Sequence, residues 1–117
     1  MKYLCQVWFE SSTLEIMSTP DKQNLDRDSL AYDRDLKASG HMIVAEALQS
    51  PRSAVTVKVR DGKTITTDGP FAETKEALGG FYMLNTKDLD EALELAAMIP
   101  GAAVGSIEVR PIMEFPG

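Results

Sequence analysis

Five groups that can exchange protons or hold an oxygen fall within nine residues, D-G-P-F-A-E-T-K-E from Asp68 to Glu76. If the turn aims Asp68 into a cleft, partial desolvation makes its carboxylate a stronger general base. Thr74 and Lys75 are then placed to hold an anionic or carbonyl oxygen, with Phe71 beside them as an aromatic contact. The same residues also support a purely architectural reading. Asp68-Gly69-Pro70 makes a turn, Pro70 holds Gly69 extended, Phe71 plugs the core and the remaining charges solvate one helical turn.

Beyond this stretch the candidates are few. His41 is the single histidine, so any imidazole chemistry must use it, as a catalytic group or as a hydrogen-bonded residue at a strand end. One histidine and one cysteine make no His- or Cys-rich zinc site. Glu46 falls among apolar neighbours in a strand-like run, and a buried acid there calls for a cation. Arg110 is the candidate, either as an ion pair with Glu46, within the sheet or between subunits, or as part of a substrate clamp. Dinucleotide-binding, P-loop and serine-hydrolase patterns do not occur, and no cofactor is expected.

These groups need elements to carry them. Tyr3 to Phe9 is apolar on both faces and predicts an interior strand, with Cys5 as a small core hydrophobe. Glu10 to Pro20, rich in Ser, Thr and Pro, predicts a loop. A helix follows from Asn24 to Ser39, its stripe formed by Leu25, Ser29, Tyr32, Leu36 and Ser39. Gly40 is its cap, and Asp26, Asp28, Asp33 and Asp35 lie on its solvated side.

His41 to Gln49 predicts a second strand. Ala54 to Arg60 and Lys63 to Thr67, joined by Asp61-Gly62, predict a hairpin. Gly79-Gly80 opens a strand from Phe81 to Asn85. Asp88, with Glu91 three residues on, caps a second helix whose stripe is Leu89, Ala92, Leu93, Ala96 and Ile99, and Pro100-Gly101 ends it. Ile107 to Met113 predicts the last strand. The order strand, helix, strand, hairpin, strand, helix, strand fits an α+β, ferredoxin-like split βαβ sandwich: an antiparallel sheet with two helices on one face. Two helices cover one face only, so the other is expected to meet a second copy in a homodimer.

At 117 residues and 44% hydrophobic content the chain, residues 1–117, fits one domain. Its net charge of −6 argues against a nucleic-acid partner. The apolar start is too short to span a bilayer, so no membrane partner is expected, and a single cysteine gives no sign of an oxidising compartment. Together these predict a cytoplasmic protein.

The motif Asp68 to Glu76, with L-G-G-F-Y (Leu78 to Tyr82), D-L-D-E-A-L (Asp88 to Leu93) and I-E-V-R-P-I (Ile107 to Ile112), resembles the DGPF branch of the YCII-related proteins along nearly the whole chain. The resemblance implies a dimeric α/β barrel of ferredoxin-like units, a bacterial cytoplasmic setting, and an association of some relatives with extracytoplasmic-function sigma factors. For the wider family it implies a histidine–aspartate active site. Aligned on Gly40, those two places hold Ser29 and Ala38 here, while the motif aspartate Asp68 is kept. The expectation is a small-molecule cleft at the motif serving a cofactor-free acid–base enzyme, with Asp68 and His41 catalytic and Phe71, Thr74, Lys75, Arg110 and Glu46 binding. The alternative is a noncatalytic dimeric module associated with sigma-factor signalling.

Overall fold

The computed structural model describes residues 1–72 and 74–116, apart from the side chain of Leu14. Four strands make one antiparallel sheet in the order β2-β5-β1-β6: β1 (Lys2–Glu10), β2 (Met42–Ala47), β5 (Glu76–Asn85) and β6 (Ser106–Pro111). The helices are α1 (Ser11–Ile16), α2 (Thr19–Ser39) and α3 (Leu89–Ala97). Without the inserted hairpin β3 (Val55–Arg60) and β4 (Lys63–Asp68), this is the ferredoxin-like order of a split βαβ unit.

Side-chain alternation separates the faces of the sheet. Tyr3, Cys5 and Val7 of β1 and Tyr82 and Leu84 of β5 are buried, and all of these but Tyr3 pack in one cluster with Tyr32 and Leu36 of α2, Ala96 of α3 and Ile99 just beyond it. The other row, Leu4, Gln6 and Trp8 beside Phe81 and Met83, is only partly buried and lies on the face away from the cluster that α2 and α3 cover.

The expected loop from Glu10 to Pro20 instead contains α1 and the first turn of α2. Ser18 caps that turn, its Oγ accepting from the Asp21 amide at 3.2 Å, and Pro20 occupies the first turn, where it has no amide to lose. Gly79 and Gly80 do not open a strand but lie inside β5. There a register shift opposite Val7 and Trp8 makes Gly79 the extra residue of a bulge, and a side chain on Gly80 would strike the Glu46 carbonyl oxygen at 2.8 Å. Of the expected α3 stripe, Ala92, Ala96 and Ile99 are buried, while Leu89 and Leu93 remain exposed in the single chain. Asp88 caps α3 through the Glu91 amide at 2.9 Å, and the Glu91 carboxylate accepts from the Lys87 amide at 3.1 Å.

Burial pushes the Cys5 thiol from 9.0 up to about 11. It also raises Tyr32 from 10.0 to about 12, with smaller contributions from Cys5 and Asp35. Above the ordinary values the unfolded chain ionises while the folded chain holds its protons, so stability must fall as pH rises from about 9. Urea midpoints measured from pH 8 to 11 should decline from that point. Cys5→Ala should flatten the first part of the decline, and an unchanged slope would exclude Cys5 as its source.

Candidate functional site

α2 lies across the β2 side of the sheet and leaves a cleft of about 450 Å³ beneath it. Its wall takes Leu25, Asp26, Ser29, Leu30 and Asp33 from α2, and Ala45 to Leu48 from β2 and its end. Val7, Phe9, the run Gly79 to Tyr82, Ile99 and Gly101 complete it. Asp26, Ser29 and Asp33 recur at three- and four-residue spacing, so one helix face presents all three.

The Tyr82 hydroxyl donates to Asp33 Oδ1 at 2.5 Å. Burial, then the hydrogen bond and charge of Asp33, raise the phenol well above its ordinary range, so it stays protonated and acts as a donor. Tyr32, its ring centre 6.5 Å from that of Tyr82, is held by its own hydroxyl donating to the Leu95 carbonyl at 2.6 Å. Asp33 thus lines the cleft with one carboxylate oxygen fixed by Tyr82. Among the described residues the charged groups of the wall, Asp26, Asp33 and Glu46, are all acidic.

The residues singled out in the sequence do not converge in the single chain. Asp68 ends β4, exposed and paired with Val55, and it lines neither this cleft nor a shallower hollow of about 390 Å³ formed by Trp8, Thr74, Glu76 and Ser106 to Glu108. Phe71 does not plug the core: it is 79% exposed, with the Lys58 ammonium 5.4 Å from its ring centre. Gly69 takes φ 104°, a conformation for which glycine is suited, rather than the extended backbone expected before a proline. Thr74 Oγ1 donates to the Glu76 carbonyl, and Lys75 bonds Glu10 at 2.9 Å, a contact that raises the pKa of the amine. Glu73 lies outside the described residues.

His41 is occupied at both ring nitrogens, by Ser39 Oγ at 2.9 Å and Glu91 Oε1 at 3.2 Å, where it ties the end of α2 to the start of α3. Its carbonyl accepts from the Asn85 amide at the far end of β5, whereas Lys75 precedes the first residue of that strand. The length of β5, about 30 Å, therefore separates His41 from the motif. Within the single chain the expected Glu46–Arg110 pair does not form, and Glu46 is exposed rather than buried. β2 and β6 are opposite edges of the sheet, three strand spacings or about 14 Å apart. Arg110 pairs instead with Glu108.

Asp33 and Tyr82 were missed for identifiable reasons. Asp33 counted as one of four solvated aspartates, although its four-residue spacing from Ser29 already put it at the border of the buried stripe. Tyr82 stood inside a glycine-rich strand with nothing local to mark it. Among the described residues no three His, Cys, Asp or Glu side chains cluster as metal ligands, and no helix is long and apolar enough to cross a membrane.

Comparison with known proteins agrees with this architecture. Over 98% of this chain and 96% of the other, the fold is similar to that of 5-chloro-2-hydroxyhydroquinone dehydrochlorinase from Burkholderia phenoliruptrix AC1100, solved in complex with 2,5-dihydroxybenzoquinone. The TM-score is 0.56 and the identity 16%, a likeness of fold. An uncharacterized protein of Rhizobium meliloti (strain 1021) is 36% identical over 114 residues, 96% of this chain and 92% of that protein. The YCII-related domain matches residues 1–116, and the chain therefore belongs to the YCII-related family.

Proposed function

We propose that this protein is a cytoplasmic homodimer of the DGPF branch that binds a small molecule in the cleft beneath α2 and moves protons on it without a cofactor. Asp33 is the base, and Tyr82 is the donor that orients it. The observation that carries this reading is the 2.5 Å Tyr82–Asp33 hydrogen bond in the wall of a largely apolar cleft. Asp33 takes a proton from a hydroxyl or an activated C–H and returns it at a neighbouring atom, so the step needs no oxidant or reductant. The open sheet face, with Leu4, Trp8, Phe81 and Met83, supports the homodimer.

An apolar cleft whose charged residues are all acidic favours a neutral, hydroxylated ring over an anion. The structural neighbour is named for a chlorinated hydroxyhydroquinone, so this class is the one to try first. By calorimetric titration, resorcinol should bind and benzoate, an anionic ring of similar size, should bind at least about tenfold more weakly. Benzoate binding equally well would instead favour an anion clamp at Lys75 or Arg110. The sigma-factor module reading expects neither ligand to bind.

A further inference from the structure

Among the described residues the β3–β4 hairpin pairs only with itself, from Val55 opposite Asp68 to Arg60 opposite Lys63, and joins no other strand. Asp61 and Gly62 at its tip both have positive φ, as a tight primed turn requires. Alternation puts Val55, Val57 and Val59 on one side, and each is about 60% exposed. A lone two-stranded hairpin is marginal in water, and a solvent-facing row of valines forgoes the burial that would stabilise it.

Size and charge say what covers it. The radius of gyration is 16.2 Å, against about 13 Å for a compact chain of this length, and the molecule measures 48 × 46 × 19 Å. Its accessible surface is 8324 Å², whereas a folded monomer of 12.8 kDa exposes about 6,300 Å². The excess, about 2,000 Å², matches one partner's share of a large obligate interface. From Pro51 to Pro70 the chain carries Arg52, Lys58, Arg60 and Lys63 against Asp61 and Asp68, in a protein of net charge −6. A second copy therefore attracts the arm as a whole, although Lys58, Arg60 and Lys63 share the face opposite the valines and so would not themselves make the valine contact.

We propose that the β3–β4 hairpin is a clasp exchanged between two copies of this chain, each laying its Val55, Val57 and Val59 row against the other. Two-fold exchange closes the assembly and leaves neither arm exposed. The D-G-P-F turn then sets the clasp's angle. The Gly69 amide donates to the Ala54 carbonyl at 2.7 Å, Thr56 Oγ1 donates to the Gly69 carbonyl at 2.9 Å, and Lys58 sits over Phe71. This inference rests on the homodimer proposed above only for the existence of a second copy.

Sedimentation velocity of the wild type, of the triple variant Val55→Thr, Val57→Thr, Val59→Thr, and of Met83→Lys on the open sheet face tests it. Threonine keeps the β-branched shape and the strand preference, and circular dichroism checks that the variant folds. The wild type should be dimeric and the triple variant should dimerise at least about 100-fold more weakly. In wild-type dimers assembled from light and ¹⁵N-labelled chains, lysine-reactive cross-links from Lys58 or Lys63 should join light to heavy. A wild type monomeric at micromolar concentration overturns both the clasp and the dimer. Unchanged dimerisation of the triple variant, with arm cross-links confined to single chains, overturns the clasp alone, and loss of the dimer in Met83→Lys would then leave the sheet-face dimer standing.

Discussion

Asp33→Asn is expected to slow protein-catalysed exchange of the ring hydrogens of resorcinol in D₂O by about 10³-fold, within the range that removal of a positioned general base produces. The substitution preserves shape and leaves an amide oxygen to accept the Tyr82 hydroxyl, so the hydrogen bond at Asp33 Oδ1 has a replacement. What is lost is the ability to take a proton. Tyr82→Phe makes the complementary change: it keeps the ring in the core and removes the donor, so Asp33 remains a base without its fixed orientation. The expected loss there is smaller, about tenfold, with resorcinol affinity reduced alongside the rate. Exchange followed by NMR at equal protein concentration, with thermal unfolding as the control for folding, separates the two roles. Equal exchange rates for wild type and Asp33→Asn would show that Asp33 is not the base.

Gly105→Ala should cost about 3 kcal/mol and lower the melting temperature by about 10 °C. A methyl group at Gly105 would run into the Trp8 carbonyl oxygen and lie 3.0 Å from Cδ1 of the Phe9 ring. Neither neighbour yields easily. β1 is hydrogen-bonded to β5 on one side and β6 on the other, so the Trp8 carbonyl cannot retreat without breaking a ladder. Phe9 is wedged among Gly79, Gly101 and Gly105, each of which would strike or crowd its ring if it carried a side chain. The contrasting control is Gly62→Ala at the hairpin tip, where there is open space and only the positive φ of 73° is at stake, a cost of about 1 kcal/mol. Urea denaturation of both variants checks the order. A Gly105→Ala protein no less stable than Gly62→Ala would mean that the β1–β6 junction relaxes freely.

The arrangement of the core was legible from local patterns because each pattern acts over a few residues. Alternation in Tyr3 to Phe9 reports a strand wherever the strand ends up, Asp61-Gly62 reports a hairpin by its backbone alone, and Gly40 and Asp88 act on the helices they adjoin. Strung together, these signals leave few ways to build a sheet, and the β2-β5-β1-β6 order is the ferredoxin-like one they implied. The structure departs from these local patterns where one signal has two meanings. Serine, threonine and proline before Asp21 read as loop but also make a helix start, and paired glycines read as a strand's beginning but also make a bulge.

The candidate site was not legible in the same way. Asp33 and Tyr82 are 49 residues apart, and only the passage of α2 over β5 brings them together. The motif's Asp68 is an exposed strand end in the single chain, and Glu46, exposed there as well, has no burial to demand a cation, with Arg110 on the opposite edge of the same sheet. What the amino-acid order determined by itself was the set of elements, their caps and turns, and hence the family's fold, since those depend on backbone preferences within one or two turns of chain. Which carboxylate faces a cavity, and which aromatic ring is left outside, was decided only by tertiary packing, because burial belongs to the space between elements and no residue carries it alone.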